Sequence, residues 1–257
     1  MARLILFCES PADASTVQGL VERVIREEGP DWLRDLLDGP AEGAQQVLDW
    51  VPDNEGRSFF DLHGLSAQAR RLGLRIPQGH FDGKPGAAGA LMARTAFHVA
   101  RELALAQEGP EAVLLVWDMD DQGEERRQGL EQARQEAGRL VPFVLLLGCP
   151  DPMREAWVLA GFEPETDEEH SRLVELRQEL GFHPCQEAHR LDAKKEHARR
   201  SPKRVLDALT SGAREREVRC WTAAPLSVMR ERGRHSGLAA FLNEVTTLLL
   251  PKLTGGS

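Results

Sequence analysis

The chain contains no tyrosine, and aromatic residues make up only 5% of its 257 positions. Its four cysteines, Cys8, Cys149, Cys185 and Cys220, are widely spaced and form no C-x-x-C pair. That pattern argues against a zinc ribbon or a disulfide framework. Cys8 and Cys149 end apolar runs, where buried free thiols are common. Long hydrophobic runs are missing too. Leu4 to Cys8, Ala112 to Trp117 and Val141 to Gly148 are strand-sized, too short for a signal-peptide core or a bilayer span. A cytoplasmic protein without membrane association is therefore expected. No G-x-x-x-x-G-K-[ST] stretch occurs, so the chain has no Walker A phosphate loop of its own. The eight histidines show no metal-like spacing, and neither a repeat nor a low-complexity tract is present.

The remaining composition, 41% hydrophobic and 28% charged, is that of an ordinary globular protein able to bury a core. A net charge of −9 excludes a general nucleic-acid coat, but the charge is uneven. Arg190 to Arg234 carries 13 Lys/Arg against 6 Asp/Glu, a local +7 that leaves −16 for the rest. Such a segment suits a phosphate-contacting arm or, equally, a solvated helix face balanced by acidic neighbours.

Alternating elements dominate the first two thirds. Residues 3–8 read as a strand buried on both faces, as in parallel sheets. Ser10-Pro11 breaks the run, and Val17, Leu20, Val21, Val24 and Ile25 follow at helical spacing until Gly29-Pro30. Trp32 to Val51 also has helical spacing, interrupted at Gly39-Pro40. From Asp53 to Gly89 only a short strand near Ser58–Leu62 is expected, the remainder being loop, with Gly79 to Gly89 as irregular surface or a cover over the site. Ala90 to Ala106 is a helix, Ala112 to Trp117 a buried strand, Gly123 to Leu140 a charged helix and Val141 to Gly148 another strand. A helix carrying Glu155 and Trp157 begins near Asp151, with Trp157 as core packing. The alternation implies a mostly parallel α/β sheet flanked by helices. Beyond an acidic linker at Glu163–His170, helices are expected at Ser171–Leu180, Pro202–Leu209 and Gly237–Leu250. The last is apolar enough for a partner or homodimer face, or for folding back on the core.

Sites of open α/β sheets lie beyond the carboxyl ends of the strands. Three runs here lead into acids: Glu9 after the first, Asp118 and Asp120 after the second, and Glu155 shortly after the third. Asp13 lies one helical turn past Glu9. Converging carboxylates repel unless a cation neutralises them, and an all-oxygen donor set points to Mg²⁺ or Mn²⁺, not zinc. Residues two apart on a strand leaving the sheet face the same way, so Asp118 and Asp120 are expected to share a metal with Glu9. Plainer readings stand beside these. Asp13 also suits a first-turn acid of its helix, as does Glu155, and Asp121 a solvent-facing residue.

The segments Leu-Phe-Cys-Glu9-Ser-Pro-Ala-Asp13 and Val-Trp-Asp118-Met-Asp120-Asp121-Gln-Gly123 resemble the Glu and Asp-x-Asp motifs of TOPRIM domains, in particular the OLD-like nuclease branch. Pro152-Met-Arg-Glu155-Ala-Trp157 is similar to that branch's third acidic element, and Lys203 in Ser-Pro-Lys to its downstream basic residue. The likeness covers residues 1–165, with Ser10 in place of the usual Gly and a long gap between Glu9 and Asp118 that implies a helical insertion at about 30–108. Residues 166–257 would be a helical, partly basic C-terminal region.

The resemblance implies a Mg²⁺-dependent nuclease acting on DNA or RNA, an antiviral defence effector working with a separate ATPase subunit. Glu9, Asp118 and Asp120 would hold one ion, and Asp13 and Glu155 would complete a second site about 4 Å away. Lys203 would offset charge on the reacting phosphate, and Lys194, Lys195, Arg199 and Arg200 would track the nucleic-acid backbone. Two other classes compete. One is a non-catalytic TOPRIM-like scaffold that binds an ATPase. The other is a haloacid-dehalogenase or receiver-type phosphoryl-transfer protein, although Gln122 and the late position of the motif fit it poorly.

Overall fold

A computed structural model describes residues 2–39, 47–76, 87–106 and 109–255. It is an α/β protein in which every pairing among the described strands is parallel. The chain clusters into two compact units. One comprises Met1–Trp117, Glu124–Gly148 and Asn243–Ser257; the other comprises Asp118–Gly123 and Cys149–Leu242. The units thus interleave along the chain, where the sequence suggests a single boundary at 165.

The first unit is built on its sheet. Strand β1 (Ala2–Cys8) runs through its middle, with Leu4 to Cys8 no more than 1% exposed. Apolar side chains on both faces explain why this strand is central and not at an edge. Helix α1 (Pro11–Glu28) follows, started by Pro11 and by the Ser10 hydroxyl, which accepts from the Asp13 N–H at 3.2 Å. Its apolar stripe, Val17, Leu20, Val21, Val24 and Ile25, is fully buried. Helix α2 (Asp31–Asp38) comes next.

Two sequence expectations fail in the stretch that follows. Leu48–Trp50 is not helical but a strand, β2, paired with Ala2–Leu4 of β1. Three residues are too few for periodicity to tell strand from helix, and the pairing partner decides. Strand β3 (Phe60–Asp61) lies where a short strand is expected and pairs with Phe7–Cys8 of β1. Beyond it, a one-turn helix at Leu62–Gly64 leads into α3 (Leu65–Arg71), in place of the expected loop. Leu62, Leu65 and Ala69 are buried at helical spacing, a signal diluted by the surrounding glycines and charges. The suggested cover at 79–89 lies outside the described residues as far as 86, and 87–89 open the next helix.

Helix α4 (Ala87–Ala106), strand β4 (Ala112–Val116), helix α5 (Gly123–Ala137) and strand β5 (Val144–Gly148) complete the alternation. The strand order is β2-β1-β4-β5, with β3 also on β1. Edge strand β5 is covered by the chain's end. The Glu244 carboxylate accepts the Leu147 N–H at 2.9 Å and binds Arg134 at 2.5 Å, satisfying an edge donor that would otherwise need water.

The second unit has no strand among its described residues. Its helices are α6 (Arg154–Ala160), α7 (Asp167–Leu180), α8 (Pro202–Thr210), α9 (Arg214–Ala223), α10 (Leu226–Arg232) and α11 (Leu238–Glu244). From α11 the chain continues helically through a wider turn at Val245–Leu249 to Leu253. All seven residues of α6 are buried, Trp157 among them as core packing. The Trp157 ring stacks on Phe241 with centroids 5.1 Å apart, and its indole N–H donates to the Ser236 carbonyl at 2.6 Å. Of the acidic stretch expected as a linker, Asp167–His170 belongs to α7, while Glu163–Thr166 precede it. Thr166 caps α7, and Asp167, Glu168 and Glu169 occupy the first turn, where the helix dipole favours negative charge. Helices α9 and α10 were not legible beforehand. Among the described residues no helix is long and apolar enough to cross a membrane.

Candidate functional site

The expected acidic residues divide between the units. Glu9 and Asp13 belong to the first; Asp118, Asp120 and Glu155 belong to the second, together with Lys194, Lys195, Arg199, Arg200 and Lys203.

In the first unit Glu9 directly follows β1. The register Phe7↔Leu115 between β1 and β4, continued two residues, brings Trp117 alongside Glu9. The Trp117 indole N–H donates to Glu9 Oε1 at 3.1 Å, and His63 Nε2 stands 3.7 Å from the same oxygen. The Arg126 guanidinium covers the Trp117 ring at 4.2 Å. The Trp117 hydrogen bond therefore orients the carboxylate. Ser10, at φ −149° and ψ 161°, is ordinary extended backbone, so this turn needs no glycine.

Asp13 sits in the first turn of α1, whose N-terminal dipole favours a carboxylate. Asp61, at the end of β3, is opposite Cys8 in register and caps the following turn by accepting the His63 N–H at 2.8 Å. The Cys8 thiol is pushed far above its usual range, chiefly by burial and then by the negative charges of Asp13, Asp61 and Glu9. Three carboxylates thus act on one point at the end of β1. Sequence reading missed Asp61. Its signal was the same one that marked Glu9, an acid closing a short apolar run, here Phe59-Phe60-Asp61.

In the second unit Asp118 to Gln122 is not an extension of β4, and this corrects the expectation that Asp118 and Asp120 face one way by strand alternation. Residues 120–122 form a turn, and Asp120 has φ 48°. That left-handed conformation is uncommon for residues other than glycine, and aspartate tolerates it better than most. The turn is fastened by backbone bonds from Met119 N–H to the Pro150 carbonyl (2.8 Å) and from Asp120 N–H to the Pro152 carbonyl (2.7 Å). Asp118 Oδ1 accepts the Arg154 N–H at 2.9 Å, at the start of α6. Glu155, next along α6, is buried and paired with the Arg154 guanidinium at 3.2 Å; Arg154 also binds Glu217 at 2.5 Å.

The basic residues behave unequally. Lys194 pairs with Asp121 at 2.5 Å, so the basic run meets the acidic turn through Lys194. Lys203, in the first turn of α8, is exposed and pairs with Glu196 at 3.8 Å. Arg200 binds Asp192 at 3.2 Å and the Arg190 carbonyl. Lys195 and Arg199 are exposed, with no ion-pair partner among the described residues. Several cations of the segment thus balance acidic neighbours, while Lys195 and Arg199 are exposed.

The candidate ligands are all carboxylates, a hard oxygen set that fits Mg²⁺ or Mn²⁺ by donor chemistry. Among the described residues no group of three or more His, Cys, Asp or Glu is arranged to hold a metal ion. No protein-family model matches the chain, and no curated protein or solved structure matches it.

Proposed function

We propose that this chain is a TOPRIM-like, Mg²⁺-dependent phosphodiesterase acting on nucleic acid, in the cytoplasm, as a defence effector whose ATPase resides on a separate subunit. The observation that carries this reading is the pairing of β1 with β4. They are neighbouring parallel strands, and an acid follows each: Glu9 directly after Cys8, and Asp118 two residues after Val116. Carboxylates beyond the carboxyl ends of adjacent parallel strands are where open α/β sheets carry their chemistry.

In this reading the resemblance supplies the ligands of the ion: Glu9 and Asp13 in the first unit, Asp118, Asp120 and Glu155 in the second. The bound ion would supply Lewis-acid activation of water and charge neutralisation at the scissile phosphate. Trp117 orients Glu9, and the Arg154 N–H fixes one oxygen of Asp118. Lys195 and Arg199 supply exposed cations for the phosphate backbone, and Lys203 a further one for the reacting group. Asp61 joins the acidic set on the strength of its position opposite Cys8.

The test is a cleavage screen of the full chain on single- and double-stranded DNA and RNA with Mg²⁺ and with Mn²⁺, with and without an ATPase encoded next to it. Cleavage lost in the Asp118→Ala, Asp120→Ala double variant, with unchanged circular dichroism, supports the reading. Wild-type protein inert on every substrate, with either metal and with the ATPase, refutes it and leaves the scaffold class.

A further inference from the structure

The first unit holds a pocket of quite different chemistry, formed by α4, α5 and the turn after α5, with a volume of about 270 Å³. Its floor is Phe97, which is 2% exposed, and its α5 wall is lined by Ala133 and Ala137. Alanines are too small to fill the seam between two helices, so a concavity remains where larger side chains would have closed it. Leu140 stands at the mouth, 66% exposed, an apolar side chain left in water beside an apolar cavity.

Four polar side chains complete the lining. Arg94 is bound to Glu136 by two bonds of 2.7 and 2.9 Å, so together they form a wall without net charge. Arg101 is exposed and has no ion-pair partner among the described residues. His98 is held below its ordinary range by burial and by the Arg101 charge, so at neutral pH it offers an uncharged hydrogen-bonding edge. The pocket therefore combines an apolar body with one unbalanced positive charge, the composition of a small-ligand site.

We propose that this pocket binds a small monoanion with an apolar body, of the medium-chain or aryl carboxylate class. The apolar part lies between Phe97, Ala133 and Leu140, and the carboxylate meets Arg101 and His98. The volume admits roughly nine water-sized groups, which suits a chain of about eight carbons. The inference is independent of the acidic positions and of any nuclease activity.

Octanoate, octanol and octylammonium are the probes, titrated calorimetrically into the full chain while the His98 ring resonances are followed by NMR. One-to-one octanoate binding is expected, with octylammonium at least tenfold weaker and with movement of the His98 signals. Arg101→Gln is expected to weaken octanoate about tenfold, the effect of losing one charge-assisted contact. Leu140→Asp should weaken it at least as much, because it places a like charge at the mouth. Both positions are exposed, so the variants keep the fold. Octanoate that fails to saturate at millimolar concentration, that binds no better than octylammonium, or that binds both variants as tightly as wild type overturns the proposal.

Discussion

The two units solve the same problem with different central elements. The first is organised around β4, all five of whose residues are buried, and the second around α6, all seven of whose residues are buried. A central strand has its backbone groups satisfied by neighbours on both sides, so its side chains are free to be purely apolar, as Val113, Leu114 and Leu115 are. A helix satisfies its own backbone internally but leaves its first N–H groups without intrahelical partners. At the start of α6 the Arg154 N–H is taken by Asp118, and the Arg154 side chain by Glu155 and Glu217. Arg216 plays a similar part. Its guanidinium binds Glu169 at 2.7 and 3.0 Å, donates to the Glu163 carbonyl at 2.5 Å and lies over the Phe162 ring at 4.5 Å. Both units bury arginines, but in the second Arg154 and Arg216 tie the ends of short helices together, whereas the interior strand β4 of the first is purely apolar.

That contrast can be broken at both centres. The largest loss is expected from Leu114→Ala in β4, about 3–5 kcal/mol by chemical denaturation, from lost burial plus the cavity left in a sheet that cannot collapse. A loss below about 1 kcal/mol would mean that the strand is less central than described.

Glu169→Gln should cost about 2 kcal/mol near neutral pH, because it removes the charge-assisted bonds to the buried Arg216 guanidinium and leaves it only the more distant Glu165, at 3.5 Å. The Arg216 hydrogen bond holds the Glu169 carboxyl below its usual range. A depressed folded-state pKa gives stability that is full above the unfolded value, about 4.3, and fades as the pH falls through the folded value. The gap between wild type and variant should therefore narrow below about pH 4. A gap that stays constant from pH 7 to pH 3 would show that the pair does not act through charge.

Lys194→Ala should be the mildest, under about 1 kcal/mol, since both partners of the Lys194–Asp121 pair are mostly exposed. A larger loss, still present in 0.5 M salt, would make that pair a structural tie and not a surface contact.

Residues whose pattern repeats over many positions were read correctly. The runs at Leu4–Cys8 and Ala112–Val116 and the stripe of α1 follow from periodicity, because burial on both faces or on one stripe leaves a long imprint. Short elements left none. Leu48–Trp50 became a strand because β1 offered it a partner, and α3 emerged because Leu65 and Ala69 found a core to enter. The candidate acids were legible as types at strand ends, yet their settings were not. The local sequence showed Asp61 as an acid closing a short apolar run but not its place opposite Cys8, and it announced neither the left-handed Asp120 nor Lys194 in place of Lys203 at the acidic turn.

By itself, then, the sequence determined the alternation of strand and helix, the acids that follow β1 and β4, and the basic character of Arg190 to Arg234. All are consequences of local composition and period. Only the tertiary structure decided which strands are neighbours, which carboxylate is held by which donor, and which cations remain open. Those depend on contacts between residues far apart in the chain, such as Glu9 with Trp117, 108 positions away, and no local pattern encodes them.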